Sequence, residues 1–514
     1  MKGKCQYCLI VFGVTVWLTV FAQSPPASIM QLQWKAHEGL DAKNRLKIVL
    51  PHRLYKAMGV SQRRLHVMGY LPYWMWGELD LHLDVVDIVA YFGVEARSDG
   101  TLGSPHDWGS KDFTKLANAV HDAGGKVVLT LVCFKSSTIS AILNNTAVRS
   151  KIISAVVELV VRGNGDGVNI DFEGVLSQDK EKLVEFVKLL HSALAAEIPK
   201  PHISLATPAI DWRDAFDYDR LAQNASFLFI MGYDYHWPGG APGPVSPLKG
   251  SARWGKYSLE FTVQDYLQWG GVHNSRKFIL GLPLYGEDWP VKSLTVPAKS
   301  LGKASPVVWD AAQTESATYG RLWDAPSYTP YYQYTEEGTN HQVWYDDVDS
   351  FIPKARLALE NNFGGVGVWA LGYAQNDSKL WSELKRLVFE EIPSSSDDEG
   401  MDTSELAYED IEAEGEIDQD SDISLADVLE LSDRSNEMEL AGEFQKEIAE
   451  QKIGERDIDI TKRDRYSSLD MSPERRAESS GGCSGSSRPS SPVVLLLVLV
   501  VMLELRNAKD PVDD

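Results

Sequence analysis

The run DGVNIDFE, Asp166 to Glu173, decides the fold that this sequence predicts. Its polar residues, Asn169, Asp171 and Glu173, alternate with apolar ones, which is the two-residue period of a β-strand. In a closed barrel, the apolar side chains of such a strand pack beneath outer helices and the polar side chains point inward. We therefore predict a barrel strand whose acids lie towards its carboxyl end, at the rim of the barrel.

The chain around this run repeats one rhythm between about residues 66 and 390. Short β-branched runs alternate with stretches that place apolar residues at helical spacing, which indicates parallel strands joined by crossover helices. The predicted strands are His66 to Leu71, Val86 to Phe92, Lys126 to Phe134, Gly167 to Glu173, His202 to Pro208, Phe227 to Asp234, Lys277 to Tyr285 and Gly365 to Leu371. The predicted helices include Lys111 to Ala123, Ala147 to Arg162, Lys180 to Glu197 and Phe351 to Asn361. Eight strands favour an α/β fold, a (β/α)8 TIM barrel, over an open sheet.

The longest gap lies between the seventh and eighth predicted strands. There the runs YYQY (Tyr331 to Tyr334) and HQVWYDD (His341 to Asp347) flank the turn-like EEGTN. We expect a small hairpin-type insertion on the rim, where it would wall one side of a cleft at the carboxyl ends of the strands.

The two ends of the chain differ in composition from the barrel region. Lys2 and Lys4 precede an apolar stretch that ends near Ala22, which predicts a signal peptide, with a membrane anchor as the alternative. The apolar run Val493 to Leu503 resembles a lipid-anchor signal, with an unstructured tail as the alternative. The predicted domains are a signal peptide (1–22), an N-terminal extension (23–60), the barrel (61–392), an acidic low-complexity disordered tail (393–490) and a short apolar run with a charged end (491–514).

The net charge of -23 belongs mostly to the tail. Residues 397–460 hold 24 Asp and Glu against 4 Lys and Arg, which accounts for 20 of the excess negative charges. The rest of the chain is close to neutral, which removes any argument from charge for a nucleic-acid surface or for a strongly steering field around the barrel.

The cysteines give neither a disulfide framework nor a zinc-ligand spacing. Cys5 and Cys8 lie in the leader, so only Cys133 and Cys483 remain. We therefore expect no metal and no cofactor. Candidate N-glycan acceptors for an exported glycoprotein are Asn144, Asn224 and Asn376.

Asp171 and Glu173 are predicted to act as a pair. Two buried acids two residues apart raise the pKa of one of them, because like charges disfavour ionisation. A general acid that works near neutral pH needs this rise. Glu173, nearest the rim, would stay protonated and donate its proton while Asp171 holds negative charge. The alternative is an inward hydrogen-bond layer without chemistry.

The sequence also resembles family 18 of the glycoside hydrolases over most of residues 66–390. The resemblance rests on the alternating acids that end in Glu173 and on five further runs in barrel order. These runs are MGYLPYW (Met68 to Trp74), IVAYF (Ile88 to Phe92), MGYDY (Met231 to Tyr235), LGLPLYG (Leu280 to Gly286) and GVGVWALG (Gly365 to Gly372).

This resemblance implies a retaining glycosidase in which the 2-acetamido oxygen of the substrate is the nucleophile, an exception to the two-carboxylate scheme. Glu173 would protonate the glycosidic oxygen and then activate water, while Asp171 would hold the amide N–H. Tyr233 would donate its hydroxyl to the acetamido group. The substrate-binding residues implied in the same way are Asn169, Met231, Asp234, Trp369, Tyr70 and Phe92.

Asn169 departs from the common family pattern, which has Asp at this position. Asn cannot share a proton with Asp171, so the resemblance implies an altered pH dependence or slower turnover. The same Asn is similar to that of the di-N-acetylchitobiase branch, as are HQVWYDDVDSFIPKA (His341 to Ala355) and TPYYQY (Thr329 to Tyr334). The third strand, LTLVCFK, lacks the Ser and Gly residues frequent in the family, which puts the subsites near it in doubt.

The leading prediction is therefore a secreted, monomeric hydrolase of β-linked N-acetylglucosamine in chitobiose, chito-oligosaccharides or glycan ends. It would work outside the cell or in a lysosome-like compartment, with membrane association through the C-terminal apolar run. Peptidoglycan is a second candidate substrate, because it offers the same acetamido group. A third hypothesis, a chitin-binding or glycan-binding barrel without turnover, is disfavoured by the presence of Glu173. A fourth is a surface scaffold whose acidic tail is the functional part.

Overall fold

The computed structural model describes residues 27–39, 47–49, 63–75 and 78–389. The predicted signal peptide, acidic tail and C-terminal apolar run lie outside these residues. Among the helices of the described ranges, none is long and apolar enough to cross a bilayer. The same ranges contain no cluster of His, Cys, Asp and Glu suited to a metal ion.

Eight parallel strands close into a barrel, which confirms the predicted fold class. The strands are β1 (Lys47–Val49), β2 (His66–Pro72), β3 (Glu78–Asp80), β4 (Ile88–Glu95), β5 (Lys126–Cys133), β6 (Gly167–Phe172), β7 (His202–Pro208), β8 (Phe227–Met231), β9 (Phe278–Pro283), β10 (Tyr285–Val291), β11 (Ser305–Val308), β12 (Leu322–Asp324), β13 (Thr329–Glu336), β14 (Thr339–Trp344) and β15 (Gly365–Trp369). The barrel runs β2, β4, β5, β6, β7, β8, β9 and β15, and β15 closes it by pairing with β2. Strands β1 and β3 pair with each other outside the barrel.

Crossover helices surround the barrel, and one short helix precedes it. The helices are α1 (Ile29–Ala36), α2 (Lys111–Asp122), α3 (Ser136–Asn144), α4 (Thr146–Arg162), α5 (Lys180–Ala195), α6 (Tyr218–Asn224), α7 (Leu259–Gly270), α8 (Trp309–Tyr319), α9 (Val348–Glu360) and α10 (Ser378–Phe389). Several begin at a side-chain cap that satisfies a free backbone N–H, as Asn145 does for α4 and Asp347 does in the capping box of α9.

Strand β6 shows why the alternating run folds as predicted. Val168, Ile170 and Phe172 are buried in the core, and the ring of Phe172 lies 5.5 Å from that of Phe186 on α5. The apolar face of the strand therefore packs beneath a crossover helix, which leaves Asn169 and Asp171 on the face towards the barrel interior.

The insertion between β9 and β15 is larger than the predicted hairpin. β13 and β14 do form that hairpin, with Glu336 opposite Thr339, and the two residues of its turn, Glu337 and Gly338, have positive φ. The hairpin belongs to a five-stranded antiparallel sheet in the order β11, β10, β14, β13, β12. β10 begins two residues after β9 ends, so this sheet grows directly from the barrel rim.

Candidate active site

The two acids of the alternating run lie at the carboxyl end of β6. Asp171 is fully buried within the strand, and Glu173 follows its last residue, where it is half-buried. The position matches the rim on which TIM barrels carry their functional groups.

Burial shifts both acids towards their protonated forms. Neither carboxylate oxygen of Asp171 accepts a hydrogen bond from the residues that the structure describes. Burial raises the pKa of Asp171 to about 7. For Glu173, burial and then the neighbouring Asp171 hold the pKa well above its ordinary value. At neutral pH the pair therefore retains a proton that an exposed pair would have lost.

Asn169 is held in one orientation beneath the acids. Its side-chain nitrogen donates to the Tyr70 hydroxyl at 2.9 Å, and its oxygen accepts from the Ser204 hydroxyl at 2.9 Å. All three residues belong to barrel strands and all are fully buried. The amide therefore connects β2, β6 and β7 across the interior and stays neutral while its neighbour Asp171 titrates.

The segment after β8 supplies the next group of predicted residues. Met231 ends the strand, half-buried, and the Tyr233 hydroxyl is buried without a hydrogen-bond partner among the described residues. Asp234 has a φ of 61° and accepts a hydrogen bond from the Tyr285 hydroxyl at 2.6 Å. Burial raises the pKa of Asp234 to about 6. Sequence reasoning missed Tyr285, although it lies within the quoted run LGLPLYG.

Aromatic rings form the floor beside the acids. The Trp369 ring, at the end of β15, lies 4.9 Å from that of Phe92 and 5.4 Å from that of Tyr70. Tyr70 and Phe92 also meet edge to face, 6.1 Å apart. The structure thus brings together three predicted binding residues from β2, β4 and β15.

Glu287 is a buried acid that sequence reasoning also missed. It follows Tyr285 on the same face of β10, is fully buried, and neither carboxylate oxygen has a partner in the described part of the chain. Burial, then Asp234 and Asp288, hold its pKa well above the ordinary range. Only the alternation of YGEDW could have suggested that Glu287 lies on the buried face with Tyr285.

Four further residues come from the N-terminal extension, for which the sequence predicted no element. Ser28 donates to Glu173 Oε1 at 2.6 Å, and the backbone N–H of Ile29 donates to Asp234 Oδ2 at 2.9 Å. Gln33 and Trp34 of α1 contact the aromatic floor at Trp369 and Phe92.

The arrangement suits a ligand that carries an N–H donor, a hydrogen-bond acceptor and an oxygen that can be protonated. Asp171 can accept an N–H, Tyr233 can donate an O–H, and Glu173 can give up a proton beside them. The floor formed by Trp369 offers an apolar face of the kind that sugar rings stack on.

Comparison with known proteins connects this geometry to a family. The family model described as Glycosyl hydrolases family 18 matches residues 66–374. The chain is 31% identical over 252 residues to the putative sporulation-specific glycosylase YdhD of Bacillus subtilis (strain 168), covering 47% of this chain and 56% of that protein. It is 26% identical over 298 residues to the cortical fragment-lytic enzyme of Bacillus anthracis, covering 55% and 64%.

Two further similarities cover more of the compared protein. Di-N-acetylchitobiase of Homo sapiens is 27% identical over 307 residues, covering 53% of this chain and 76% of that protein. The crystal structure of a GH18 chitinase from Cycas revoluta in complex with (GlcNAc)3 superposes with a TM-score of 0.56 at 18% identity, covering 63% of this chain and 99% of that one. At that identity the superposition shows a shared fold.

Proposed function

Because the chain belongs to family 18 of the glycosyl hydrolases and is a glycoside hydrolase, we propose that it cleaves the β-linkage of an N-acetylglucosamine residue with retention of configuration. The substrate would be chitobiose, a chito-oligosaccharide or a glycan end. Glu173 is the proposed general acid and base, with Asp171 and Tyr233 as its helpers.

One observation carries this proposal. Two buried groups, the Asp171 carboxylate and the Tyr233 hydroxyl, have no hydrogen-bond partners among the described residues. Both lie beside Glu173, whose pKa is raised. Buried polar groups are costly unless a ligand satisfies them. An acetamido group satisfies both, because its N–H donates to Asp171 and its carbonyl oxygen accepts from Tyr233.

These contacts support a substrate-assisted first step. Asp171 and Tyr233 would hold the acetamido group so that its oxygen attacks C1 of the same sugar. Glu173 would donate its proton to the glycosidic oxygen as the bond to C1 breaks, and the leaving group would depart as an alcohol. The positive charge that develops on the cyclised acetamido group would be stabilised by the carboxylate of Asp171.

The second step reverses the proton transfer. Glu173, now a carboxylate, would take a proton from water as that water attacks C1 and the acetamido ring opens. The hemiacetal forms with the configuration of the original linkage. Asn169 keeps a fixed neutral amide beneath Asp171, so the negative charge that the first step needs is not shared with a third acid.

Glu173→Gln tests the proposal. Gln keeps the size and hydrogen-bonding capacity of Glu173 and cannot donate a proton, so kcat on chitobiose should fall by roughly 10³-fold or more while chito-oligosaccharide binding persists. The exposed Glu197 gives the matched control, Glu197→Gln, which should leave kcat unchanged. Activity of Glu173→Gln near that of the parent would remove Glu173 as the acid.

The same assay separates the alternative substrates. Peptidoglycan is a second candidate, favoured by the similarity to a cortical fragment-lytic enzyme. Release of N-acetylglucosamine from chitobiose and longer chito-oligomers, but not from muropeptides, would support the leading proposal. NMR that detects the β-anomer as the first product formed would show retention of configuration. Binding without hydrolysis at any pH would replace the enzyme proposal with a glycan-binding barrel.

The proposed setting is secreted or lysosome-like, with a monomeric enzyme. It rests on the sequence of residues 1–22, and surface anchoring through the C-terminal run stays a prediction. Immunodetection of the chain in culture medium, in a lysosomal fraction, or on intact cells before and after phospholipase treatment distinguishes the three locations.

A further inference from the structure

The short helix α1 lies in the cleft whose residues the proposed function uses. Its N-cap is Ser28, whose hydroxyl oxygen accepts the Gln31 N–H at 3.1 Å and whose hydrogen is donated to Glu173. α1 has eight residues, and an isolated helix of that length is unstable in water. Its conformation is therefore maintained by what it contacts in the barrel.

The first contact is with the acids. The Ser28 hydroxyl oxygen lies 2.6 Å from Glu173 Oε1, which is the distance at which a leaving oxygen would take the proton of this acid. The first N–H of the helix, from Ile29, donates to Asp234 at 2.9 Å. Ile29 and Met30 are fully buried. The start of α1 thus lies within hydrogen-bonding distance of both acids, with two buried apolar side chains beside it.

The second contact is with the aromatic floor. Gln33 is buried, and its side-chain oxygen accepts hydrogen bonds from the Trp369 indole at 2.9 Å and the Tyr373 hydroxyl at 2.8 Å. The Trp34 ring meets Phe92 edge to face at 5.7 Å. A single amide therefore accepts hydrogen bonds from two ring donors, one of which belongs to the aromatic floor.

The C-terminal end of α1 contacts the residues that directly follow β2. The His37 ring stacks on that of Trp74 at 4.5 Å with an interplanar angle of 4°. The Tyr73 hydroxyl donates to the His37 carbonyl at 2.9 Å. Tyr73 and Trp74 both belong to the run MGYLPYW at the end of β2. Contacts at both ends and at the middle of α1 therefore converge on the rim.

We propose that the segment Ser28–His37 is an internal inhibitor that occupies the leaving-group side of the cleft and holds the enzyme latent. The proposal rests on the proposed function, because it takes this cleft to be the substrate site. α1 leaves Asp171 and Tyr233 without partners, so it blocks the acid and the floor rather than the acetamido pocket. Substrate and α1 then compete, and release of the segment exposes Glu173.

Competition of this kind has a kinetic form. An intrachain competitor lowers the fraction of molecules able to bind, so it raises the apparent KM and leaves kcat unchanged at saturation. Gln33→Ala removes the acceptor that holds Trp369 and Tyr373 and leaves Glu173, Asp171 and Tyr233 in place. We expect the apparent KM for chito-oligosaccharides to fall roughly tenfold in this variant, which corresponds to a competent fraction of about one in ten in the parent.

Two further full-chain proteins sharpen the test. Lys35 is exposed on the same helix, so Lys35→Ala is the matched control and should keep the parental KM. A recognition sequence for a site-specific endoprotease, inserted after Gly39, lets the folded chain be cut and the segment separated. The cut protein should bind tri-N-acetylchitotriose at least roughly tenfold more tightly by calorimetry, with its near-UV circular dichroism retained.

A synthetic peptide of residues 27–39 gives a readout that does not depend on sugar chemistry. Labelled at its C-terminus, it should bind the cut protein and be displaced by the trimer. An unchanged or raised KM in Gln33→Ala, or a folded cut protein that binds neither peptide nor more trimer, overturns the proposal. The cut protein could instead bind the peptide but neither bind nor cleave any chito-oligomer. That result would support α1 as the occupant of the cleft and contradict only the proposed substrate.

Discussion

Two fully buried acids in this molecule, Asp346 and Asp171, differ in every neighbour. Asp346, just before α9, pairs with the buried ammonium of Lys354 and accepts a hydrogen bond from the Ser350 hydroxyl at 2.6 Å. Asp171, on β6, has no hydrogen-bond partner among the described residues. Burial raises the pKa of both, but at Asp346 the ammonium and the hydroxyl oppose the rise.

The difference separates an acid that is compensated within the fold from one that, in the proposed function, holds the substrate. A buried carboxylate with a cation and a hydroxyl is compensated within the chain. A buried carboxylate without partners costs stability, and natural proteins keep such groups mainly at functional sites. Burial alone would have ranked Asp346 and Asp171 together, and only their contacts distinguish them.

Breaking the compensated pair should give the largest effect on stability. Lys354→Met removes the ammonium and leaves Asp346 buried with only the Ser350 hydroxyl as a donor among the described residues. We expect the free energy of unfolding to fall by about 3–5 kcal/mol, measured by urea denaturation, with kcat per folded molecule unchanged. Lys188→Met, at an exposed position, is the control. Adding Asp346→Asn should recover part of the loss, and an equal loss in the double variant would contradict the pairing.

Asp171→Asn should do the reverse, with a large loss of activity and a gain in stability. Loss of the charge that holds the acetamido N–H should lower kcat by roughly 10²-fold or more. The folded pKa of about 7 exceeds the ordinary value of 3.8, so the folded state binds the proton more tightly. The free energy of unfolding should therefore decrease as the pH rises from about 4 to 7 in the parent.

The Asn variant lacks this titration, so its advantage in melting temperature over the parent should be larger at pH 8 than at pH 4. Differential scanning calorimetry at the two pH values measures it. An advantage that is equal at both values would mean that Asp171 is not the group that titrates.

The smallest expected effect is a shift in pH dependence. Asn169→Asp adds a third acid next to Asp171, where Tyr70 and Ser204 already supply hydroxyl groups. A like charge at this spacing disfavours ionisation of the pair, so the acidic limb of kcat/KM should move to higher pH by about one unit. A profile identical to that of the parent would mean that Asn169 does not set the charge state of Asp171.

The alternation of DGVNIDFE was enough to predict the inward face of β6, because strand geometry is local and its period appears in the sequence. Tyr70, Phe92 and Trp369 were predicted as substrate-binding residues through the family resemblance. Three strands far apart in the sequence contribute those rings, and no local period shows that they meet. Tyr285 was missed because the predicted seventh strand ran on to it, and Glu287 because no strand was predicted beyond Tyr285, where the structure has β10.

The sequence by itself determined the eight barrel strands, the acids Asp171 and Glu173 at the end of β6 and the hairpin of the insertion. Each of these depends on periodicity or turn chemistry within a short stretch. Only the tertiary structure decided that α1 lies in the cleft. Ser28 and Glu173 are 145 residues apart in the chain, and Gln33 and Trp369 are 336 apart. Such contacts form because the rim offers carboxylate acceptors and ring donors to a helix that is unstable alone. That complementarity exists only once the barrel has closed.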